Sequence, residues 1–175
     1  MKLSIVTTTF NSSKTIEKFI YEITESVKEQ NINEYEIIIV DDGSKDNTCE
    51  KLKNLKTTFP NLVIIELSKN FGHHKALITA LEFSKFEKVL CIDSDLEEDP
   101  KELKLFIKEI DNYDFVYGIQ KKRSASIITN IFGSLFYKFF NLVSPLKIPE
   151  NLTTMTLMNH SVRDEIVKFK EKEIF

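Results

Sequence analysis

The chain lacks any excess of positive charge. Twenty-four Lys and Arg stand against 27 Asp and Glu, a net charge of −3 over 175 residues. That balance gives no general attraction to nucleic acid, so a nucleic-acid partner is not expected. Cysteine is scarce, with Cys49 and Cys91 the only two. Two thiols build no disulfide framework, and Cys91 lies inside an apolar run where a small core residue is the simplest reading. No apolar stretch reaches the roughly 18 residues of a membrane-spanning helix. No signal peptide is visible, because Met1-Lys2 leads at once into a short run that ends in threonines. The expected setting is therefore a reducing cytoplasm. Asn11-Ser12-Ser13, Asn151-Leu152-Thr153 and Asn159-His160-Ser161 match the glycosylation pattern by chance in that setting. Internal repeats, low-complexity tracts and evident linkers are also missing.

What remains is ordinary globular composition, 42% hydrophobic and 29% charged, at a length that fits one domain better than two. Strand and helix patterns alternate. Leu3 to Thr8, Glu36 to Val40, Leu62 to Leu67, Lys88 to Ile92 and Phe115 to Tyr117 read as strands. Between them, Ile16, Phe19, Ile20, Ile23 and Val27 recur at helical spacing, with Ser12 or Ser13 as the expected cap. Asn47 and Glu50 resemble a capping box for a second helix carrying Leu52 and Leu55. Leu77, Ala80, Leu81 and Ser84 mark a third. Pro100 suits the first turn of a fourth, carrying Leu103, Phe106, Ile107 and Ile110. Continuous apolar strands alternating with amphipathic helices predict an α/β fold with a mostly parallel sheet covered on both faces.

Two strands end in acids. Asp93-Ser94-Asp95 follows Val89-Leu90-Cys91-Ile92, and Asp41-Asp42-Gly43-Ser44 follows Ile37-Ile38-Ile39-Val40. The carboxyl ends of strands are where open α/β sheets bind ligands. A carboxylate pair there can hold a hard cation, and a hard cation can hold a diphosphate. Asp-x-Asp alone is common in turns, and Asp42 can equally serve to turn the chain. Thr7-Thr8-Thr9-Phe10-Asn11 offers hydroxyls, an aromatic face and an amide suited to a base and ribose, or simply a cap for the first helix. In Ser68 to Lys75, a helix N-terminus and Lys75 suit an anion. His73 and His74 are adjacent, share no helix face and have no thiol cluster, so a polar pocket or packing role is expected rather than zinc. Glu97, Glu98 and Asp99 continue the acidic run, and the dipole of the next helix accounts for Glu98 and Asp99. Oxygen ligands select Mg²⁺ or Mn²⁺.

After Gly118 the pattern changes. Lys121-Lys122-Arg123 precedes a phenylalanine-rich stripe from Ile127 to Val143, ended by Pro145 and Pro149. The stripe suits packing on the core or an oligomer contact, hence a homo-oligomer. With its basic entry it also suits an interfacial helix on anionic lipid over residues 124–143.

The order Thr8-Thr9-Phe10-Asn11, Val40-Asp41-Asp42-Gly43-Ser44, Asn70-Phe71-Gly72-His73, Asp93-Ser94-Asp95-Leu96 and Tyr117-Gly118 resembles the family-2 inverting glycosyltransferases of Rossmann-like GT-A fold. The branch containing dolichyl- and polyprenyl-phosphate sugar transferases is most similar, and Ile148-Pro149-Glu150-Asn151 also matches it. The resemblance implies a nucleotide-diphospho-sugar donor of UDP, dTDP or GDP type and a lipid-phosphate or glycan acceptor, in cell-envelope polysaccharide or glycolipid synthesis. It implies Thr8, Phe10, Asn11, Asp41, Asp42, Lys75 and Asp93 at the nucleotide. Asp95, Asp93 and Glu97 would serve the metal, and Asp93, Asp95 and Arg123 the chemistry, with Lys122 beside Arg123. It further implies one catalytic domain over 1–175, short at its C-terminus, with a nucleotide half at 1–119 and an acceptor or membrane-proximal half at 120–175. Peripheral attachment to the cytoplasmic face of a membrane follows from the same branch.

The chain departs from the pattern at Thr8, where proline is usual, at Ser12, where an acid is common, and at Gln120, where arginine is expected. Thr154 and Thr156 stand where related chains carry Asp and Arg. These departures leave a second reading open, a degenerate transferase domain that binds a nucleotide or partner without turnover. Glu171 and Glu173 are candidates for a general base or members of a solvated helix face. A phosphoacceptor receiver domain would put its acids mainly after strands one and three, and here strand one ends in threonines.

Overall fold

The structure is a computed structural model that describes residues 1–119 and 152–168. The stripe at 124–143, Arg123, Glu171 and Glu173 lie outside the described residues.

Among the described residues, six strands form one sheet. They are β1 (Lys2–Thr9), β2 (Glu34–Asp41), β3 (Leu62–Glu66), β4 (Lys88–Cys91), β5 (Phe115–Ile119) and β6 (Leu152–Asn159). Their spatial order is β3-β2-β1-β4-β6-β5. β1 pairs in parallel with β2 and β4, and β2 with β3. β6 is antiparallel to both its neighbours, β4 and β5. The helices are α1 (Ile16–Glu29), α2 (Thr48–Leu55), α3 (His73–Phe83), α4 (Leu103–Glu109) and α5 (His160–Lys168), with a single 3₁₀ turn at Pro100–Glu102 ahead of α4.

The apolar strands split their side chains between two cores, because successive residues of a strand face opposite sides. Leu3, Ile5, Ile37, Ile39 and Leu90 join Phe19, Ile20 and Ile23 of α1 and Leu103 and Phe106 near α4. Val6, Ile38, Val40, Val89 and Cys91 join Ala76, Ala80 and Leu81 of α3. Both faces of the central strands are thus buried, which is why they read as continuous apolar runs. Burial also pushes the Cys91 thiol up to about 12.

Two expected caps take other forms. α1 is preceded by Thr15, with no side-chain cap, and the Ser12 carbonyl instead accepts from Thr15 N and Ile16 N at 3.0 Å each. Asn47 precedes α2 without a side-chain bond. Asp46 does that work, accepting from Thr48 N at 3.1 Å and from the Thr48 hydroxyl. The Thr48 hydroxyl bond, with lesser help from Ser13, holds the Asp46 carboxyl at about 2, against a smaller upward push from burial.

β6 was not legible as a strand in the sequence. It enters between β4 and β5, so one sheet takes strands from both sides of residue 120. Thr154 and Thr156 alternate with Met155 and Leu157, a β-branched pattern that fits a half-buried strand. Met155 and Leu157 enter the first core and Met158 the second.

Candidate active site

Connections from β1 run outward to β2 and β3, then return to β4 on the other side of β1. The strand order therefore reverses between β1 and β4, the point at which an open α/β sheet leaves a crevice at its carboxyl edge. A cleft of about 360 Å³ occupies that place, lined by Thr8, Thr9, Phe10, Ser12, Asp42, Asn70, Gly72, His73, Asp93, Ser94 and Asp95.

Each wall is fixed by hydrogen bonds. The Ser94 hydroxyl donates to the Thr8 carbonyl at 2.8 Å, joining the ends of β4 and β1 across the reversal. The Asp42 carboxylate is buried and accepts two backbone N–H groups, Phe71 N at 2.7 Å and Gly72 N at 2.9 Å. It straps the β3–α3 loop to the end of β2. The Thr8 hydroxyl and His73 Nδ1 lie 2.9 Å apart and close the same loop onto β1. Gly43 lets this loop approach, since its φ is +73° and an added Cβ would stand 2.6 Å from the Lys69 carbonyl carbon. Phe10 remains 44% exposed at the rim, an aromatic face open to a ligand.

Among the residues expected at the nucleotide, Thr8, Phe10, Asp42 and Asp93 line the cleft, and Asp95 joins them. Asn11, Asp41, Lys75 and Glu97 do not. Asp41 is turned to the other side, accepting from Ser44 N at 3.0 Å, from the Ser44 hydroxyl, and from the Cys49 thiol at 2.8 Å. Asp41, as the last residue of β2, and Asp42, just beyond it, thus serve opposite sides of the strand end. Burial, with the Asp41 bond second, pushes the Cys49 thiol up to about 12. Asn11 has φ +52° and serves its loop, its side-chain oxygen accepting from Lys45 N at 2.8 Å. Lys75 is exposed on the first turn of α3, away from the cleft lining. Glu97 is exposed and contributes its backbone, donating N–H to Asp95 Oδ1 at 2.9 Å. Asp99 caps the 3₁₀ turn by accepting from Lys101 N at 2.9 Å.

Ser94 lines the cleft although sequence reasoning assigned it no role of its own. The signal for Ser94 was the small hydroxyl between the two acids.

The described lining holds three carboxylates and neither lysine nor arginine. Such a wall offers an anionic ligand no fixed positive charge among the described residues, and a divalent cation would supply it. No three His, Cys, Asp or Glu side chains gather into a metal cage among the described residues. Two carboxylates completed by ligand phosphate oxygens are a donor set that Mg²⁺ takes, and Mn²⁺ accepts the same oxygens. Asp93 and Asp95 fit that role; Glu97 is not positioned with them.

The chain matches Glycosyl transferase family 2 over residues 4–167. A protein of Mycobacterium tuberculosis (strain CDC 1551 / Oshkosh) named among the glycosyltransferases is 34% identical over 99% of this chain and 51% of its own length. The bactoprenol glucosyl transferase of Shigella phage SfX is 32% identical over all of this chain and 57% of its own. The chain thus spans about half the length of these curated relatives. Residues 1–349 of Staphylococcus aureus TarS in complex with UDP superpose on 72% of this chain and 38% of that one, with TM-score 0.53 and 30% identity. The mannosyltransferase PcManGT of Pyrobaculum calidifontis, solved with GDP-Man and Mn²⁺, covers 94% of this chain and 46% of its own at TM-score 0.66 and 20% identity, a likeness of fold. The sheet, the cleft at its carboxyl edge and these likenesses agree on a GT-A architecture, and the match across residues 4–167 shows that the chain belongs to Glycosyl transferase family 2.

Proposed function

We propose that the chain binds a nucleotide-diphospho-sugar in this cleft and transfers the sugar, with inversion, to a lipid-phosphate acceptor. The observation that carries the reading is the pairing of Asp93 and Asp95 at the end of β4 with an aromatic and hydroxyl wall at the end of β1. TarS has been solved with UDP, and the phage relative is named for bactoprenol. Both names support a nucleotide donor and a lipid acceptor here.

Phe10 offers its exposed face to the base, and Thr8 offers its hydroxyl and, through Ser94, a fixed carbonyl edge. Asp42 acts through the loop it holds, setting the position of Gly72 and His73. Asp93 and Asp95 would hold a divalent cation, which when bound supplies neutralisation of the leaving diphosphate. Arg123 and Lys122 are proposed to meet the diphosphate or the acceptor phosphate. A hydroxyl acceptor would need a general base, whereas a lipid phosphate is already ionised and needs none. That favours the lipid phosphate, because no base is required of the described lining. A peripheral position at a membrane fits the proposal. Among the described residues no helix is long and apolar enough to cross one.

The test is transfer. UDP-, dTDP- and GDP-sugars would be incubated with polyprenyl phosphate in detergent and Mn²⁺ or Mg²⁺. The expected product is a glycosyl lipid phosphate whose anomeric configuration, read by NMR, is opposite to that of the donor. Retained configuration would refute inversion. Nucleotide binding with neither transfer nor hydrolysis would replace the enzyme with a non-catalytic binding module.

A further inference from the structure

One carboxylate of the acidic run faces away from the cleft and is nevertheless fully engaged. Glu98 Oε1 accepts from Met155 N at 3.0 Å, and Glu98 Oε2 accepts from the Thr154 hydroxyl at 2.9 Å. Both partners are on β6, 56 and 57 positions away in sequence. The helix dipole does not explain this placement, since the turn is capped by Asp99.

The sheet register does. On β6 the N–H of His160 reaches Glu87 beside β4 and that of Asn159 reaches Asp114 beside β5, so by alternation the Met155 N–H faces the β5 side. On that side the β5–β6 pairing shifts register between Tyr117 opposite Thr156 and Ile119 opposite Leu152, and Met155 has no β5 partner. Met155 is 1% exposed, so an unpaired N–H there would be a buried donor without a partner. Glu98 supplies the acceptor that β5 does not provide at this shift. In return, β6 fixes the far end of the acidic loop.

That loop needs fixing. Leu96 is held at φ +66°, a left-handed conformation that a branched side chain adopts at a cost, and its side chain packs against the first core. On one flank Ser94 is tied to β1, and on the other Glu98 is tied to β6. Between them the Glu97 N–H orients Asp95 Oδ1. Glu98 also keeps its own charge on the sheet rather than turned toward Asp93 and Asp95.

We infer that Glu98 is a positioning residue for the acidic pair, acting through β6 to hold Asp95 in the geometry that receives a cation. This rests on the reading that Asp93 and Asp95 hold a divalent ion beneath a nucleotide diphosphate. Partners that orient metal ligands are commonly worth about 10–100-fold in metal affinity.

The experiment titrates Mn²⁺ into the full chain with UDP, dTDP or GDP by calorimetry and electron paramagnetic resonance, for wild type, Glu98→Ala, Glu98→Gln and Thr154→Val. Hydrogen exchange at residues 93–99 and thermal stability are measured alongside. Glu98→Ala is expected to weaken nucleotide-dependent Mn²⁺ binding about tenfold. It should speed exchange at the Glu97 amide and leave metal-free nucleotide binding within about twofold of wild type. Glu98→Gln, which keeps an acceptor for Met155 N, is expected to retain most of the affinity. Thr154→Val removes one of the two bonds, folds with the β6 backbone pairing intact, and is expected to weaken Mn²⁺ binding about two- to threefold; it carries the test if Glu98→Ala does not fold. Mn²⁺ affinity unchanged in Thr154→Val and in every folded Glu98 variant, even with lowered melting temperature, would overturn the positioning role and leave the site reading standing. Wild type that binds Mn²⁺ equally with and without every nucleotide would overturn the site reading, and this inference with it.

Discussion

Replacing Asp42 by alanine should both loosen the fold and weaken nucleotide binding. The carboxylate is 3% exposed and accepts Phe71 N at 2.7 Å and Gly72 N at 2.9 Å. Hydrogen bonds to a charged group are each worth about 1.5–3 kcal/mol. Phe71 is exposed and Gly72 half-buried, so water can replace part of what is lost. The net expectation is a loss of about 2–4 kcal/mol. For a chain of this size that lowers Tm by roughly 5–10 °C. Asp42→Asn should fall between wild type and alanine, because one oxygen still accepts while the amide group opposes an N–H donor. The chain has no tryptophan, so urea unfolding is best followed by far-ultraviolet circular dichroism. Nucleotide affinity, measured by calorimetry, should drop about tenfold, since binding must then reorder the β3–α3 loop. Stability of Asp42→Ala within about 0.5 kcal/mol of wild type would refute the strap, as that is the range of an indifferent surface change.

Gly43→Ala should displace the same loop, because its Cβ would meet the Lys69 carbonyl carbon at 2.6 Å and Asn70 N at 2.8 Å at a φ of +73°. A loss of about 1–3 kcal/mol or more is expected, read from the urea midpoint. Cys49 and Cys91, both pushed up to about 12, should resist a thiol reagent at pH 8 in the folded chain and react together on unfolding. Fast reaction of Cys49 in native protein would contradict its partial burial and its bond to Asp41. Asp46 is held below its unfolded value, so its stabilising effect is complete above about pH 4 and is lost as pH falls toward about 2. Asp46→Asn should flatten that part of the acid-stability profile.

The sequence carried the strands it buried on both faces. Ile37 to Val40 and Val89 to Ile92 are continuous apolar runs, so neither needed its neighbours to be recognised. β6 was hidden because its threonines dilute the apolar signal and its pairing with β4 lies outside local sequence. Caps failed for a related reason. Ser12, Ser13 and Asn47 have suitable side chains, but Asp46 reaches Thr48 first and the Ser12 carbonyl takes the α1 contacts. At the cleft, strand ends and acids were readable, whereas direction was not. Asp41 and Asp42 are equivalent as letters, and only the sheet shows that one serves Ser44 and Cys49 while the other serves the loop beside the cleft. Glu98 was readable as an acid ahead of a helix; its partner strand lies more than fifty residues away.

The most direct measurement is calorimetric titration of UDP, dTDP and GDP into the chain, with and without Mn²⁺, in wild type and Asp95→Ala. The account expects at least one nucleotide to bind wild type with Mn²⁺-dependent affinity, and Asp95→Ala to lose that dependence. Equal affinity in the two proteins, or binding that ignores the cation, would contradict it.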